Sequence, residues 1–274
     1  MVPALIATDL DGTLLDADAR IPPRNSEALW RAHRLGVPIA ITTGRPVRWL
    51  SGLDSIAGLQ PHVICSNGSV RFDLASGTMA HRVEVPPETA RSVAAELRDR
   101  EPGITFAVEI GAGWGCEPGF PIRDGRVGPD VVAPIDELVG IGVVKLMALS
   151  VASSSDALAE RLVPIIDGRL SATWSMGGAR GLLEIGPPGV SKATALRDLC
   201  DELGLGLRDV VAFGDMPNDL DMLRAVGHPY AMANAHPLLL AEGFNLAPPH
   251  TDDGVGRILE ALLDAADAHR PSLA

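Results

Sequence analysis

Two carboxylates one residue apart close the first apolar run of the chain. Residues 6–16 read IATDLDGTLLD, with Asp9 and Asp11 separated by Leu10 and followed by Gly12 and Thr13. Residues two apart on a strand share a face, so these acids would crowd each other. Like charges that close repel unless a cation lies between them or one keeps its proton. The stretch is therefore either an ordinary polar turn or a site built to hold a metal. Other apolar runs end in residues of the same kind: Thr43-Gly44-Arg45, and Gly214-Asp215-Met216-Pro217-Asn218-Asp219. Lys192 opens a helical stretch, and it shares with Lys145 the distinction of being a lysine in a chain whose other 21 basic residues are arginine (23 − 2).

Together these residues could transfer a phosphoryl group. Asp9 and Asp215 on neighbouring strand ends offer hard oxygen ligands suited to Mg²⁺. A cation there keeps Asp9 ionised beside an anionic substrate, where the carboxylate can attack phosphorus and water can later hydrolyse the aspartyl-phosphate. Asp11, displaced from it, can protonate the leaving oxygen and then deprotonate the incoming water. Gly12 lets backbone amides turn toward the phosphoryl group, Thr43 adds a hydroxyl donor, and Lys192 supplies a fixed positive charge for the equatorial oxygens.

The elements that must position them alternate between apolar strands and amphipathic helices. A strand ends at Thr8, and Pro22-Pro23 opens a helix carrying Ala28, Leu29, Ala32 and Leu35 that stops at Gly36. Val37–Thr42 is a second strand, followed by a helix led by Pro46, and His62–Ser66 a third that ends at the turn pair Asn67-Gly68. The pattern returns from Ser191 with a helix to Leu203, the strand Val210–Phe213, a helix from Pro217, a short strand near Tyr230 and a closing helix from Asp253. Strands alternating with helices imply a parallel sheet covered on both faces, with ligands at the carboxyl ends of the strands.

Between roughly Arg82 and Pro187 the pattern changes to α+β. A helix over Glu88–Arg100 precedes a Gly- and Pro-rich stretch, Gly111–Pro134. A strand near Val143–Val151, a helix near Asp156–Ile166 and two short strands ending in GLLEI follow. Pro86-Pro87 and Pro187-Pro188 mark its ends. The expected organisation is a catalytic core of residues 1–84 and 187–274 with an inserted domain of residues 85–186. The tail after Ala268 is expected to fray.

Bulk properties narrow the partners. The formal charge of −12 (23 − 35) disfavours nucleic acid and anionic membranes. No apolar run reaches the roughly 20 residues of a membrane helix, and the N-terminus lacks the charge and apolar core of a signal peptide. Cys65, Cys116 and Cys200 are odd in number and outside any CxxC pattern, as expected of a reduced, cytoplasmic protein. Oligomeric state is not legible.

The motifs resemble those of the haloacid dehalogenase (HAD) superfamily, most closely the Cof-type phosphatases with the larger α/β cap. DLDGT at Asp9–Thr13, TTGR at Thr42–Arg45, GVSK at Gly189–Lys192 and GDMPND at Gly214–Asp219 match in order, and SNG at Ser66–Gly68 matches the subgroup. The resemblance implies a three-layer α/β/α Rossmann-like core with an inserted α+β cap. It also implies Mg²⁺-dependent hydrolysis of a small phosphorylated metabolite, a sugar phosphate or similar compound. Asp9 would be the nucleophile and Asp11 the general acid/base, with Mg²⁺ on Asp9, the Asp11 carbonyl and Asp215, and Asn218 and Asp219 orienting that shell. Leu10, Thr43, Gly44, Asn67, Lys192 and Asn218 are the residues expected around phosphate and substrate. A phosphomutase or a catalytically silent sugar-phosphate-binding protein are the alternatives on the same fold.

Two departures from the pattern, Ala193 after Lys192 and Met216-Pro217 inside GDMPND, touch no chemical group. Among the remaining candidates, Arg45 is expected to brace its loop through a carboxylate pair. Lys145, inside the run VVKLMAL, either points into the cleft or sits on an edge strand. Cys65 reads as a small buried residue, Trp174 as packing, and Trp114 as packing or pocket lining. His228 and His236 fall outside metal-ligand spacing, and Arg180 and Glu184 are secondary candidates for facing substrate.

Overall fold

The computed structural model describes residues 2–50, 52–122, 127–166 and 168–268. In chain order the first strands are β1 (Leu5–Thr8), β2 (Ile39–Thr42), β3 (His62–Cys65), β4 (Val70–Asp73) and β5 (Thr78–Arg82), with helix α1 (Pro23–Arg34) between β1 and β2. The middle of the chain holds α2 (Pro87–Arg100), β6 (Thr105–Ile110), β7 (Gly113–Cys116), β8 (Val131–Val132) and α3 (Ile135–Leu138). It continues through β9 (Lys145–Ser150), α4 (Ser155–Ile166), β10 (Ser171–Thr173) and β11 (Gly181–Gly186). The chain then adds α5 (Lys192–Leu203), β12 (Val210–Gly214), α6 (Leu220–Ala225), β13 (His228–Met232), α7 (Pro237–Leu240), β14 (Asn245–Ala247) and α8 (Gly254–Ala268).

Among the described residues the first and last groups build one sheet in the order β14-β13-β12-β1-β2-β3-β4-β5. It is parallel from β14 to β3 and ends in the antiparallel hairpin β4–β5. Alternation along β1 and β2 splits the core into two layers. Ile6, Ile39 and Ile41 pack toward α1 and α8 in one apolar cluster, and Leu5, Ala7 and Ala40 pack toward α5 and α6 in another. That two-sided burial is why these strands read as continuous apolar runs. Strand order reverses at β1, flanked by β12 on one side and β2 on the other, so the ends of these three strands form the crevice where doubly wound sheets bind ligands.

The middle of the chain forms the second sheet, β10-β11-β9-β6-β7-β8. One face carries Phe106, Val108, Leu146, Ala148, Leu183 and Ile185 into a cluster with α2 and α4. The other face looks back at the crevice. This is a Rossmann-like core carrying a cap.

Several elements differ from the sequence reading. The stretch led by Pro46 makes only one turn of 3₁₀ helix, Val47–Trp49, and Gly52 beyond it adopts a φ of 102°. The Gly-rich stretch from Gly111 to Pro134 contains β7 and β8, which complete the cap sheet, while residues 123–126 within it lie outside the described residues. The hairpin β4–β5 extends the core sheet beyond the turn at Asn67-Gly68; its outer strand is exposed throughout and shows no buried face to read. Beyond Ala268, the tail expected to fray lies outside the described residues.

Candidate active site

The crevice gathers the strand-end residues into one buried cluster. Asp9 follows β1 and Asp215 follows β12, held beside each other by the register that pairs Thr8 with Phe213. Carboxylate oxygens of Asp9, Asp215 and Asp219 lie within 4.8 Å of one another, and all three residues are buried. Lys192 enters from the first turn of α5, where Ser191 caps the helix by accepting from the Thr194 amide at 3.2 Å. Its ammonium donates to Asp9 Oδ1 at 2.6 Å and to Asp219 Oδ1 at 2.7 Å, and the lysine itself is 1 % exposed.

The three acids are held differently. Both oxygens of Asp219 are engaged: Oδ1 by Lys192, Oδ2 by the amides of Asp215 and Met216 at 3.1 Å. Asp215 accepts from the Thr13 hydroxyl at 2.9 Å. Burial, reinforced by the charges of Asp219 and Asp11 and opposed by Lys192, pushes the Asp9 carboxyl up to about 7. Burial together with the charges of Asp9 and Asp219 pushes Asp215 up to about 8, against the hydrogen bond from Thr13. Burial works to lower the Lys192 ammonium, but the facing carboxylates of Asp219 and Asp9 raise it above its ordinary value.

One lysine thus faces three carboxylates, and burial with their mutual repulsion raises Asp9 and Asp215 above the ordinary carboxylate range. The donor set suits a hard divalent cation that keeps some of its waters. The packing leaves it little freedom: a Cβ on Gly12, whose φ is 76°, would come within 2.3 Å of Asp215 Oδ2. Gly12 is required there by both backbone conformation and space.

The remaining predicted residues surround this cluster. Leu10 is fully buried beneath the loop. Asp11 turns toward Arg45, whose Nε and terminal nitrogen reach its carboxylate at 2.6 and 2.5 Å, so Arg45 braces its loop through a carboxylate pair. Thr43 is buried, and its hydroxyl accepts from the Arg45 amide at 3.0 Å. Asn67 sits in left-handed backbone (φ 56°) directly after Ser66 (φ 49°), two successive non-glycine residues in a sparsely populated region. That turn aims the Asn67 side-chain oxygen Oδ1 at Asn218, whose Nδ2 donates to it at 3.0 Å.

The cap closes the site from the other side. Lys145 lies on β9, which pairs with both β6 and β11, so it is not on an edge. Its ammonium donates to Glu184 Oε1 at 2.6 Å and to the Gly44 carbonyl at 2.7 Å, joining cap to core. Burial works to raise the Glu184 carboxyl, but the charge and hydrogen bond of Lys145 outweigh it and hold Glu184 below its ordinary value. A second bridge runs from Arg48 of the core to Glu109 on β6, through both terminal guanidinium nitrogens. Between core and cap lies a cavity of about 570 Å³, lined at its base by Asp9, Asp11, Thr43, Gly44 and Asn218.

Sequence reasoning missed Thr13, Arg48, Glu109 and Met147. Glu109 left one trace, a lone carboxylate inside the apolar run TFAVEI. Trp114 lines the cavity from β7, and Glu184 and Arg180 line it as well. His228 lies on β13; His236 caps α7 and contacts Asp156 of the cap at 3.1 Å. Cys65 is buried, and burial pushes its thiol up to about 12. Trp174 packs against the cap core and donates to Asp156 at 2.7 Å.

Fold and site together define a capped α/β phosphohydrolase architecture, and comparison with known proteins agrees. The chain matches the haloacid dehalogenase-like hydrolase family over residues 6–259. It is 30 % identical over 237 residues to the HMP-PP phosphatase of Cronobacter sakazakii, covering 86 % of each chain. With the HMP-PP phosphatase of Escherichia coli strain 55989 it shares 27 % identity, covering 87 % of each. Among solved structures it superposes on BT1666, a HAD phosphatase of Bacteroides thetaiotaomicron, with a TM-score of 0.79 at 26 % identity, covering 95 % of each chain. SMU.1108c of Streptococcus mutans gives a TM-score of 0.82 at 21 % identity, covering 96 % of this chain and 99 % of the other. The chain belongs to the haloacid dehalogenase-like hydrolase family and is a Cof-type phosphatase acting on a small phosphorylated substrate.

Proposed function

We propose that the protein hydrolyses a small phosphomonoester through an aspartyl-phosphate on Asp9, with Mg²⁺ held by Asp9, Asp215 and the Asp11 carbonyl. The observation that carries this reading is the buried trio of carboxylates facing a single lysine at the base of a cavity of substrate size. Asp219 orients the site, because both its oxygens are already committed to Lys192 and to backbone amides. When bound, the cation supplies charge neutralisation between nucleophile and phosphoryl oxygens. Lys192 holds the Asp9 carboxylate in position and faces the developing negative charge. Asp11, held by Arg45 at the mouth of the site, delivers a proton to the leaving oxygen and takes one from the attacking water.

The specificity of the reaction is assigned to residues 85–186, whose sheet roofs the cavity. Three free, buried cysteines support a reduced, cytoplasmic setting. No described helix is long and apolar enough to cross a membrane. The substrate named for the relatives, HMP-PP, is the first compound to assay, within a panel of phosphorylated metabolites read by released phosphate. Phosphate release that needs Mg²⁺, stops with a chelator and disappears in Asp9→Asn supports the reading. Release that persists in Asp9→Asn refutes it.

A further inference from the structure

The cap reaches into the core through one hydrogen-bonded hub. Glu184, at its centre, sits on β11 and is 5 % exposed. Its Oε1 accepts from Lys145 of β9 and its Oε2 from the Ser175 hydroxyl, at 2.6 Å each. The Asn67 side chain of the core hydrogen-bonds the same carboxylate. Asn67 Oδ1 accepts from Asn218 Nδ2 at 3.0 Å, and the Asn67 backbone amide donates to the Thr43 carbonyl at 3.1 Å. Gly44 lies against the hub: a Cβ there would come within 3.1 Å of Asn67 Oδ1, 3.4 Å of Glu184 Oε1 and 3.5 Å of Asn218 Nδ2. The Gly44 carbonyl takes the second bond of Lys145, at 2.7 Å.

Open space flanks these side chains. A second cavity of about 320 Å³ lies between core and cap, and Lys145, Glu184 and Asn218 line both it and the larger one. Asn67 lines the smaller cavity. Side chains with space on two sides are fixed by their hydrogen bonds more than by packing. Asn218 Oδ1 is buried without a partner among the described residues, so the bond to Asn67 sets the orientation of that amide. Through Asn67 the hub therefore reaches two parts of the core site, the Thr43-Gly44 loop and the Asn218 side chain of GDMPND.

We propose that Glu184 and Lys145 are positioning residues for phosphoryl transfer, setting the Thr43-Gly44 loop and the Asn218 amide from the cap side without touching the reacting atoms. This rests on the hydrolytic reading above. The test uses two double variants that remove both charges, Lys145→Met/Glu184→Leu and Lys145→Met/Glu184→Gln, with p-nitrophenyl phosphate and acetyl phosphate as Mg²⁺-dependent substrates. The variant with Glu184→Leu removes the acceptor for Asn67 and should lower kcat roughly 10- to 100-fold on both compounds, with KM within about threefold. The variant with Glu184→Gln keeps a side-chain oxygen for Asn67 and should recover kcat severalfold. Arg48→Met/Glu109→Leu cuts the other bridge between cap and core and should act on KM instead. If the first two variants do not fold, Asn67→Gly, which suits that left-handed backbone, removes the hub from the core side and should lower kcat alike.

An unchanged kcat with Glu184→Leu or Asn67→Gly, a loss carried by KM, no gain from Glu184→Gln, or an equal fall in kcat when the Arg48 bridge is cut would overturn the inference. If the wild type releases no phosphate from these compounds or from the metabolite panel, hydrolysis itself fails as a reading. Amide hydrogen exchange then decides the positioning alone. Lys145→Met/Glu184→Leu should speed exchange in the peptide covering residues 64–70 by about tenfold, while the peptides covering β1 and β12 match the wild type. Equal exchange at 64–70, or a rise spread over the whole core, removes it.

Discussion

The base of the cavity and its roof each bury a lysine against carboxylates, with opposite balances of charge. At the base, Lys192 stands against Asp9, Asp215 and Asp219, three acids for one base. In the roof, Lys145 is matched by Glu184, and the neighbouring Glu109 is matched by Arg48. Burial, reinforced by the neighbouring carboxylate charges, pushes Asp9 and Asp215 up to about 7 and 8, so this cluster favours taking up protons or a cation. A balanced pair needs nothing further and can serve as a strut. The comparison separates the region proposed to do the chemistry from the region proposed to shape what enters.

The largest expected effect breaks the base. Asp9→Asn removes the proposed nucleophile and should lower phosphate release by about 10⁴-fold or more, with circular dichroism confirming an intact fold. Lys192→Met should follow, lowering kcat by about 10³-fold while strongly destabilising the protein, because two buried carboxylates lose their counter-charge. Adding Asp219→Leu to it should not restore stability, since Asp219 also accepts from the Asp215 and Met216 amides.

The roof should behave otherwise. Lys145→Met alone should cost about 3 kcal/mol by stranding buried Glu184, and Lys145→Met/Glu184→Leu should recover most of that loss in chemical denaturation. Recovery in both regions, or in neither, would erase the distinction.

A pH experiment sharpens it. The folded-state values of Asp9 and Asp215, pushed up to about 7 and 8, lie above their ordinary 3.8. Between those limits the native state binds more protons than the unfolded chain, so metal-free stability falls as pH rises from about 4 to 8. Thermal melts should show that decline, and added Mg²⁺ should raise Tm more at pH 8 than at pH 6, where protons compete for the same oxygens. The smallest change is Thr13→Val, which removes one hydrogen bond to Asp215. It should cost about 1 kcal/mol and weaken Mg²⁺ activation severalfold, read from the metal dependence of kcat.

Much of the base was legible because its residues sit at chain-local signals. DLDGT and GDMPND follow apolar runs that can only be buried strands, and Lys192 opens a helix behind a Ser cap. The roof was less legible because its lining is assembled across strands. Trp114, Met147 and Leu182 come from three strands, and each alone reads as packing. Lys145 was ambiguous for the same reason: whether its strand is an edge or a centre depends on what pairs with it. The Arg48–Glu109 bridge joins residues 61 positions apart and leaves no local pattern beyond one acid in an apolar strand.

The amino-acid sequence by itself determined the doubly wound core, the acids at its strand ends and the class of reaction they suit. Those features follow from hydrophobic periodicity and from residue types at turns, which act over a few residues. Tertiary structure alone decided the neutralised pairs in the roof, which carboxylate Arg45 braces and the side chains that line the cavity. These arise where segments distant in sequence meet, and there burial and charge balance set the protonation of a carboxylate and the partner of a lysine.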